Sequence, residues 1–280
     1  MNFFEGREIV IATQHKKELV IQPLLEKQLG LKVVLNSKFN TDSLGTFCGE
    51  KEREEDALKT LRKKCLLSLE KVNFELVVAT EGSFGPHPSF FFAATNDELI
   101  LLLDKKNNLE ILAREITTET NFNSQEVKSY NEVEYFATKV QFPSHGLILK
   151  SSHKNAKYIK KGIITYEDLE KAFLQIKSEF DTVIVETDMR AMFNPTRMKV
   201  IENVTHKLIA KIKNLCPNCN FPGFDVVKIN AGLPCELCNL PTKSTLSHLY
   251  KCKNCDFEEL KIHPNNKSKE DPTYCDYCNP

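Results

Sequence analysis

The chain has 280 residues, 41% hydrophobic and 27% charged, with Lys+Arg and Asp+Glu equal at 38 each. That composition is ordinary for a folded globular protein, and zero net charge argues against binding nucleic acid or a membrane surface by bulk electrostatics. No apolar run approaches the ~18 residues that span a bilayer, and the opening MNFFEGREIVIAT puts an acid and an arginine ahead of its apolar run, a poor secretory signal, so the expected location is the cytoplasm.

In chain order, residues 7–13 (REIVIAT) read as a buried strand, apolar and β-rich at its centre. HKKELVIQPLLEKQLG follows as a helix stopped by Gly30, with Pro23 expected to kink or divide it. Residues 31–36 form the next strand. A loop then leads into a charged helix over about 50–71, whose apolar side is Leu58, Leu61, Cys65, Leu69 and Val72. Residues 75–82 (ELVVATEG) are another apolar strand. SFFFAAT and ELILLLDKKNNLEILAREIT read as strands with a hairpin at Lys106-Asn107-Asn108. A helix over 124–140, the strand GLILK, a helix over 166–180 and the strand TVIVE follow. Asn194-Pro195 opens a last long helix, asparagine suiting the N-cap and proline the first helical position. The expected class is α/β on a mixed sheet, over residues 1–213, followed by a small zinc-ribbon-like module over 214–280.

Eight of the ten cysteines form four Cys-x-x-Cys pairs: Cys216/Cys219, Cys235/Cys238, Cys252/Cys255 and Cys275/Cys278. Four thiolates in a tetrahedron make a closed, structural zinc site, and eight make two, so two zinc ions are expected. A disulfide framework is disfavoured in a reducing compartment. Two pairings fit the spacing: the middle pairs together with the outer pairs closing the second site, or first with second and third with fourth. Cys48 and Cys65 stand apart. Over 214–280 there are seven lysines, no arginine and eight acids. With two four-thiolate zinc sites the tail reaches about −5, which disfavours nucleic acid and favours a structural role or a protein partner.

Upstream, polar clusters sit at strand ends, where open α/β sheets place their ligands. Thr13, His15 and Lys16 begin a helix, a potential anion site, although a solvated lysine is commoner. Glu50 and Glu54 lie in an acidic run that suits a helix start or a hard cation such as Mg²⁺. Glu81 ends a strand before Gly82 and Gly85 and is a metal ligand or a turn former. His145 is a base, a ligand or a histidine hydrogen-bonded in place. Asp188, Arg190, Asn194 and Arg197 read either as a phosphate trap beside a helix N-terminus or as a structural Asp–Arg pair.

Together IATQHKKE, LGTFCGEKERE, TEGSFGPHP, FPSHGLI, ETDMRAMFNPTR, CPNCNFPGF, GLPC and CDYCNP resemble an uncharacterised bacterial domain-of-unknown-function family across nearly the whole chain. More faintly, the order of IVIAT…KE, GTF before an acidic helix and VVATEGSFG is similar to the inosine/xanthosine triphosphatases and their Maf-like relatives, with Gln14-His15 where that family has asparagine and with no counterpart to the tail. That resemblance implies an inosine-triphosphatase-like fold and Mg²⁺-dependent hydrolysis of non-canonical nucleoside triphosphates. Thr13, His15 and Lys16 would grip the triphosphate, Glu50 and Glu81 would hold the metal, and Asp188 and Arg190 would stand near the base. On this reading Lys16, Glu50, Glu81, Asp188 and Arg190 are catalytic, and Thr13, His15, Asn194 and Arg197 bind the ligand. The alternative is a module that binds a nucleotide or phosphate ligand without cleaving it.

Overall fold

The computed structural model describes residues 3–13, 15–35, 56–72, 74–87, 89, 91–153 and 155–280. It is a mixed α/β structure with two Cys₄ clusters near its C-terminus. Contacts divide the chain into Met1–Ile209 and Ala210–Pro280, a division that falls in the last turn of the final helix. Among the described residues no helix is long and apolar enough to cross a membrane.

The first unit opens with β1 (Glu8–Ala12), α1 (Glu18–Leu29), β2 (Lys32–Leu35), α2 (Ala57–Val72), β3 (Leu76–Pro86), β4 (Ala94–Asp104) and β5 (Leu109–Thr117). These strands form one sheet in the order β2-β1-β3-β4-β5. β1 lies parallel to both β2 and β3, because a helix-length crossover separates each pair in sequence. β3, β4 and β5 pair antiparallel, the last two through a tight turn in which Asn108 takes φ 47°. α2 covers one face, burying Leu61, Cys65 and Leu69 against Val10, Val77, Ala79 and Leu101. Asp56 opens this helix, its Oδ1 accepting from Lys59 N–H at 2.9 Å, and the portion expected over 50–55 lies outside the described residues. Gly30 ends α1 in the left-handed region at φ 66°. Of the two expected effects of Pro23, division does not occur: α1 runs unbroken from Glu18 to Leu29. Pro23 sits in the second turn, where it forfeits only the bond to the Leu19 carbonyl beside a solvated side chain.

The second sheet comprises β6 (Ser124–Val127), β7 (Leu147–Lys150), β8 (Ile159–Ile163) and β9 (Val183–Thr187), in the order β6-β9-β7-β8 with every neighbour antiparallel. α3 (Tyr130–Lys139) and α4 (Tyr166–Lys177) bury Val133, Phe136, Leu169 and Phe173 with Val127, Leu147, Leu149, Val183 and Val185. The helix expected over 124–140 therefore opens as a strand, and only Tyr130–Lys139 is helical. Ser129 caps α3, accepting from Glu132 N–H, while the Glu132 carboxylate accepts from Lys128 N–H. That Ser-x-x-Glu box marks the true start. β8, absent from the expectation, is a lysine-bearing edge strand whose pattern is too polar to read as buried.

α5 (Pro195–Lys213) begins as expected: Asn194 Oδ1 accepts from Arg197 N–H at 2.9 Å. In the second unit β10 (Asp225–Ala231), β11 (Thr245–Lys251) and β12 (Glu258–Ile262) form an antiparallel meander.

Candidate functional site

The eight paired cysteines gather into two groups, Cys216/Cys219/Cys252/Cys255 and Cys235/Cys238/Cys275/Cys278, each with its four sulfurs within 4.8 Å of one another. Sulfur pairs across the knuckles stand 3.7 and 3.6 Å apart in the first group and 3.8 and 3.6 Å apart in the second. Disulfide sulfurs stand at about 2.05 Å. A tetrahedral site with Zn–S near 2.3 Å spaces its sulfurs by about 3.8 Å, so each group can hold one metal ion.

The pairing is neither of those expected: first joins third and second joins fourth. Strand parity explains it. A single strand separates successive Cys-x-x-Cys knuckles, and each strand carries the chain to the opposite end of the sheet. Asp225, which begins β10, pairs with Lys251, which ends β11, so the knuckles before β10 and after β11 share one end. Ala231 pairs with Thr245 and Ser247 with Ile262, so the knuckles after β10 and after β12 share the other. A seven-residue strand keeps the two ends about 20 Å apart. Backbone bonds from Glu236 N–H to Glu270 O and from Glu270 N–H to Pro234 O stitch the second group together.

Local chemistry shapes each knuckle. Asn220, Asn239 and Asp256, each just after a second cysteine, sit at φ 57°, 60° and 56°, where Asn and Asp are the best tolerated non-glycine residues. In the first group the knuckles exchange hydrogen bonds: Asn218 Nδ2 reaches Cys255 Sγ at 3.6 Å, and Asn254 Nδ2 reaches Cys219 Sγ at 3.7 Å. The Asn218 amide, with the Phe257 N–H, draws the Cys255 thiol down to about 6. The Cys278 and Tyr277 N–H groups draw Cys275 down to about 7. These two shifts favour the thiolate, the form that ligates metal, while in the same groups burial pushes Cys252 up to about 11 and the Cys238 sulfur, with burial, pushes Cys278 up to about 12. Cys65 is buried on the inner face of α2, where desolvation pushes its thiol up. Cys48 lies outside the described residues.

The first unit contains a buried ion network where β1 ends. Lys17 Nζ donates to Thr80 Oγ1 at 2.7 Å and lies 3.5 Å from Glu98 Oε1. Arg197 donates from Nε and Nη2 to the Glu98 carboxylate at 3.1 and 3.2 Å and from Nη1 to the Met189 carbonyl at 2.6 Å. Its guanidinium also lies over the Phe84 ring, 5.2 Å from the centroid. Lys64 of α2 pairs with Glu81. All five charged side chains are buried. Among the described residues, three cations face two carboxylates, one more positive charge than negative. Desolvation, then the Arg197 charge and more weakly Lys64, bring Lys17 down to about 8 against the pull of Glu98 and Glu81. Gly82, opposite Glu98 in the β3–β4 ladder, makes room: a Cβ there would stand 2.4 Å from Glu98 Oε2 and 2.6 Å from Arg197 Nη2.

The structure sorts the residues expected at the site. Thr13 and His15 are half-buried, and Lys16 is exposed. Two consecutive left-handed residues, His15 at φ 67° and Lys16 at φ 59°, turn the loop so that Lys17 points inward instead. Glu81 and Arg197 enter the network. Glu50 and Glu54 lie outside the described residues. Asp188 is fully buried and accepts from Gly162 N–H, Arg190 N–H and the Arg190 guanidinium, which stacks on Phe193. Asn194 caps α5 and donates to Asn121 Oδ1 at 2.8 Å. Asp188, Arg190 and Asn194 thus hold the turn into α5, as a structural Asp–Arg pair does.

The α5 N-terminus does not offer the free N–H groups expected of an anion trap. Pro195 has none, Thr196 N–H donates to His145 Nε2 at 3.3 Å, and Arg197 and Met198 N–H donate to Asn194. His145 is buried with both ring nitrogens engaged, to Ser144 and Thr196, and burial lowers its pKa. Sequence reasoning missed Lys17, Lys64 and Glu98. The signal for Glu98 was an acid at an inward position of the apolar run NDELILLLD; that for Lys17 was a second lysine one place along.

A family model described as Domain of unknown function (DUF6671) matches residues 64–280, which include both Cys₄ groups and, from the network, Lys64, Glu81, Glu98 and Arg197. The chain belongs to that family. No curated protein matches this DUF6671 member. Among solved structures it is similar to the crystal structure of protein VC0702 from Vibrio cholerae, at 7% identity and a TM-score of 0.37, over 75% of this chain and 96% of that one. Similarity at that level assigns neither fold nor function.

Proposed function

We propose that residues 1–213 bind a phosphorylated small molecule of the nucleotide class at the Lys17–Lys64–Arg197 network, while residues 214–280 form a structural module around two zinc ions. The observation that carries the ligand reading is a cluster of three buried cations, Lys17, Lys64 and Arg197, against two carboxylates among the described residues, at the end of a parallel strand, the usual place for a ligand in such sheets. An inosine-triphosphatase-like fold for this unit is supported by the parallel β2-β1-β3 set and by the strand–loop–helix that delivers Lys17. Calorimetric titration with inorganic phosphate, pyrophosphate and a panel of nucleoside mono-, di- and triphosphates tests it. Expected is micromolar-range binding of at least one nucleotide, weakened about tenfold or more by Lys17→Met; no binding by any member sinks the reading.

A second reading, Mg²⁺-dependent pyrophosphohydrolysis, shares the ligand class. It is favoured by Lys17, whose pKa near 8 suits proton transfer close to neutrality. Glu81 and Glu98 each already face a protein cation, so among the described residues the network offers no free carboxylate pair for Mg²⁺. Pyrophosphate release from the same panel separates turnover from binding.

A further inference from the structure

The two Cys₄ groups share one backbone plan but differ in what surrounds them. In the first, the knuckles read Cys-Pro-Asn-Cys and Cys-Lys-Asn-Cys, and Asn218 and Asn254 close the site with hydrogen bonds to sulfur. The apolar residues two places after each knuckle, Phe221 and Phe257, pack with Phe224 and Tyr250 into their own cluster. In the second, the knuckles read Cys-Glu-Leu-Cys and Cys-Asp-Tyr-Cys. Leu237 and Tyr277 occupy the asparagine positions and are 71% and 70% exposed. Leu240 and Tyr274 beside them are also exposed. All four lie within two positions of a cysteine whose sulfur shares one 4.8 Å cluster. Single exposed apolar residues are normal, but several large ones around one rigid centre mark a binding surface.

We infer that this second knuckle pair docks a partner protein through a segment combining apolar and basic side chains. The inference rests on the metal-bound reading of the tail. Charge selects the partner. Glu236 and Asp276 each immediately precede an exposed apolar residue, and only Asp276 has a lysine against it, Lys243 at 2.9 Å. The tail carries more acids than lysines, and each four-thiolate zinc adds two negative charges. Leu237 and Tyr277 fill apolar pockets on the partner, while Glu236, Asp276 and the thiolate cluster attract its basic residues.

The zinc-loaded full chain is titrated with two fluorescent amphipathic peptides of equal length, one of lysine and leucine, the other of glutamate and leucine. Amide shifts in an isotope-labelled sample locate the contact. The lysine peptide is expected to bind at least about tenfold more tightly, with shifts centred on residues 235–240 and 274–278. Leu237→Ser with Tyr277→Ser abolishes that preference while zinc stays at two per chain, and Ile229→Ser on β10 leaves it intact. Equal binding of both peptides, shifts elsewhere, or indifference to the double variant overturns the surface. A concentration-dependent dimer lost in the double variant also overturns it, assigning the face to a second copy. Fewer than two zinc ions in the wild-type chain overturns the metal reading itself, a result distinct from two ions without selective binding.

Discussion

Gly82 carries the buried ion network by lacking a side chain. All three atoms nearest an added Cβ belong to a fully buried Glu98–Arg197 pair, so neither side chain can swing away. Gly82→Ala is expected to destabilise the chain by about 1–3 kcal/mol, read as a lower denaturant midpoint, whereas Gly85→Ala, with nothing within 4 Å, stays near wild type. Lys17 gives a second test at this scale. Its folded pKa, about 8, lies below the unfolded value near 10.4. Between those values the unfolded state binds more protons, so the wild type gains stability as pH rises from about 8 to about 10.5, by at most roughly 3 kcal/mol. Lys17→Met lacks this gain. Denaturant unfolding of both proteins at pH 7.5 and 10 checks it through the difference between them. The residue scale was only partly legible beforehand. A lysine after the first strand was plain, but which of two adjacent lysines turns inward depended on two left-handed residues that no periodicity announces.

At the scale of elements, the start of α5 is closed by side chains from elsewhere. His145, on the connection between α3 and β7, caps it from outside. It must be neutral to accept from Thr196 N–H. Burial holds its folded pKa below the ordinary 6.5, so the unfolded chain protonates first and stability is lost as pH falls below about 6.5. His145→Gln is expected to flatten that decline while lowering stability at pH 7.5 by about 1 kcal/mol for the weakened cap. Thermal melts between pH 5 and 7.5 decide it. Elements with strong patterns were legible: the apolar runs became β1, β3, β4 and β9, and Gly30 and Asn194 bounded helices where their chemistry places them. The segment 124–140 was not. Its apolar residues run through both β6 and α3, and the capping box at Ser129 was the available signal. β8 was hidden because an edge strand needs no apolar alternation.

At the scale of the whole molecule, the crossed cysteine pairing makes a prediction that neither other pairing shares. Cys219→Ser with Cys255→Ser damages one group and should leave one zinc per chain. Cys219→Ser with Cys238→Ser damages both and should leave none. Nested pairing would empty both sites in the first variant, and sequential pairing would spare one in the second. Elemental analysis after native purification distinguishes the three. Chelation should unfold residues 214–280 first, because the binding free energy of such sites is folding free energy. The sequence alone determined that eight cysteines form four knuckles able to hold metal in fours, because Cys-x-x-Cys spacing is a local property of the chain, and that alternating strands and helices precede them. Only the tertiary structure decided which knuckles meet, because strand direction sends alternate knuckles to opposite ends of a sheet. It also decided that Glu98 and Arg197, 99 positions apart, neutralise one another in the interior. Burial and partner choice are set by distant chain segments converging in space, and no local pattern encodes that.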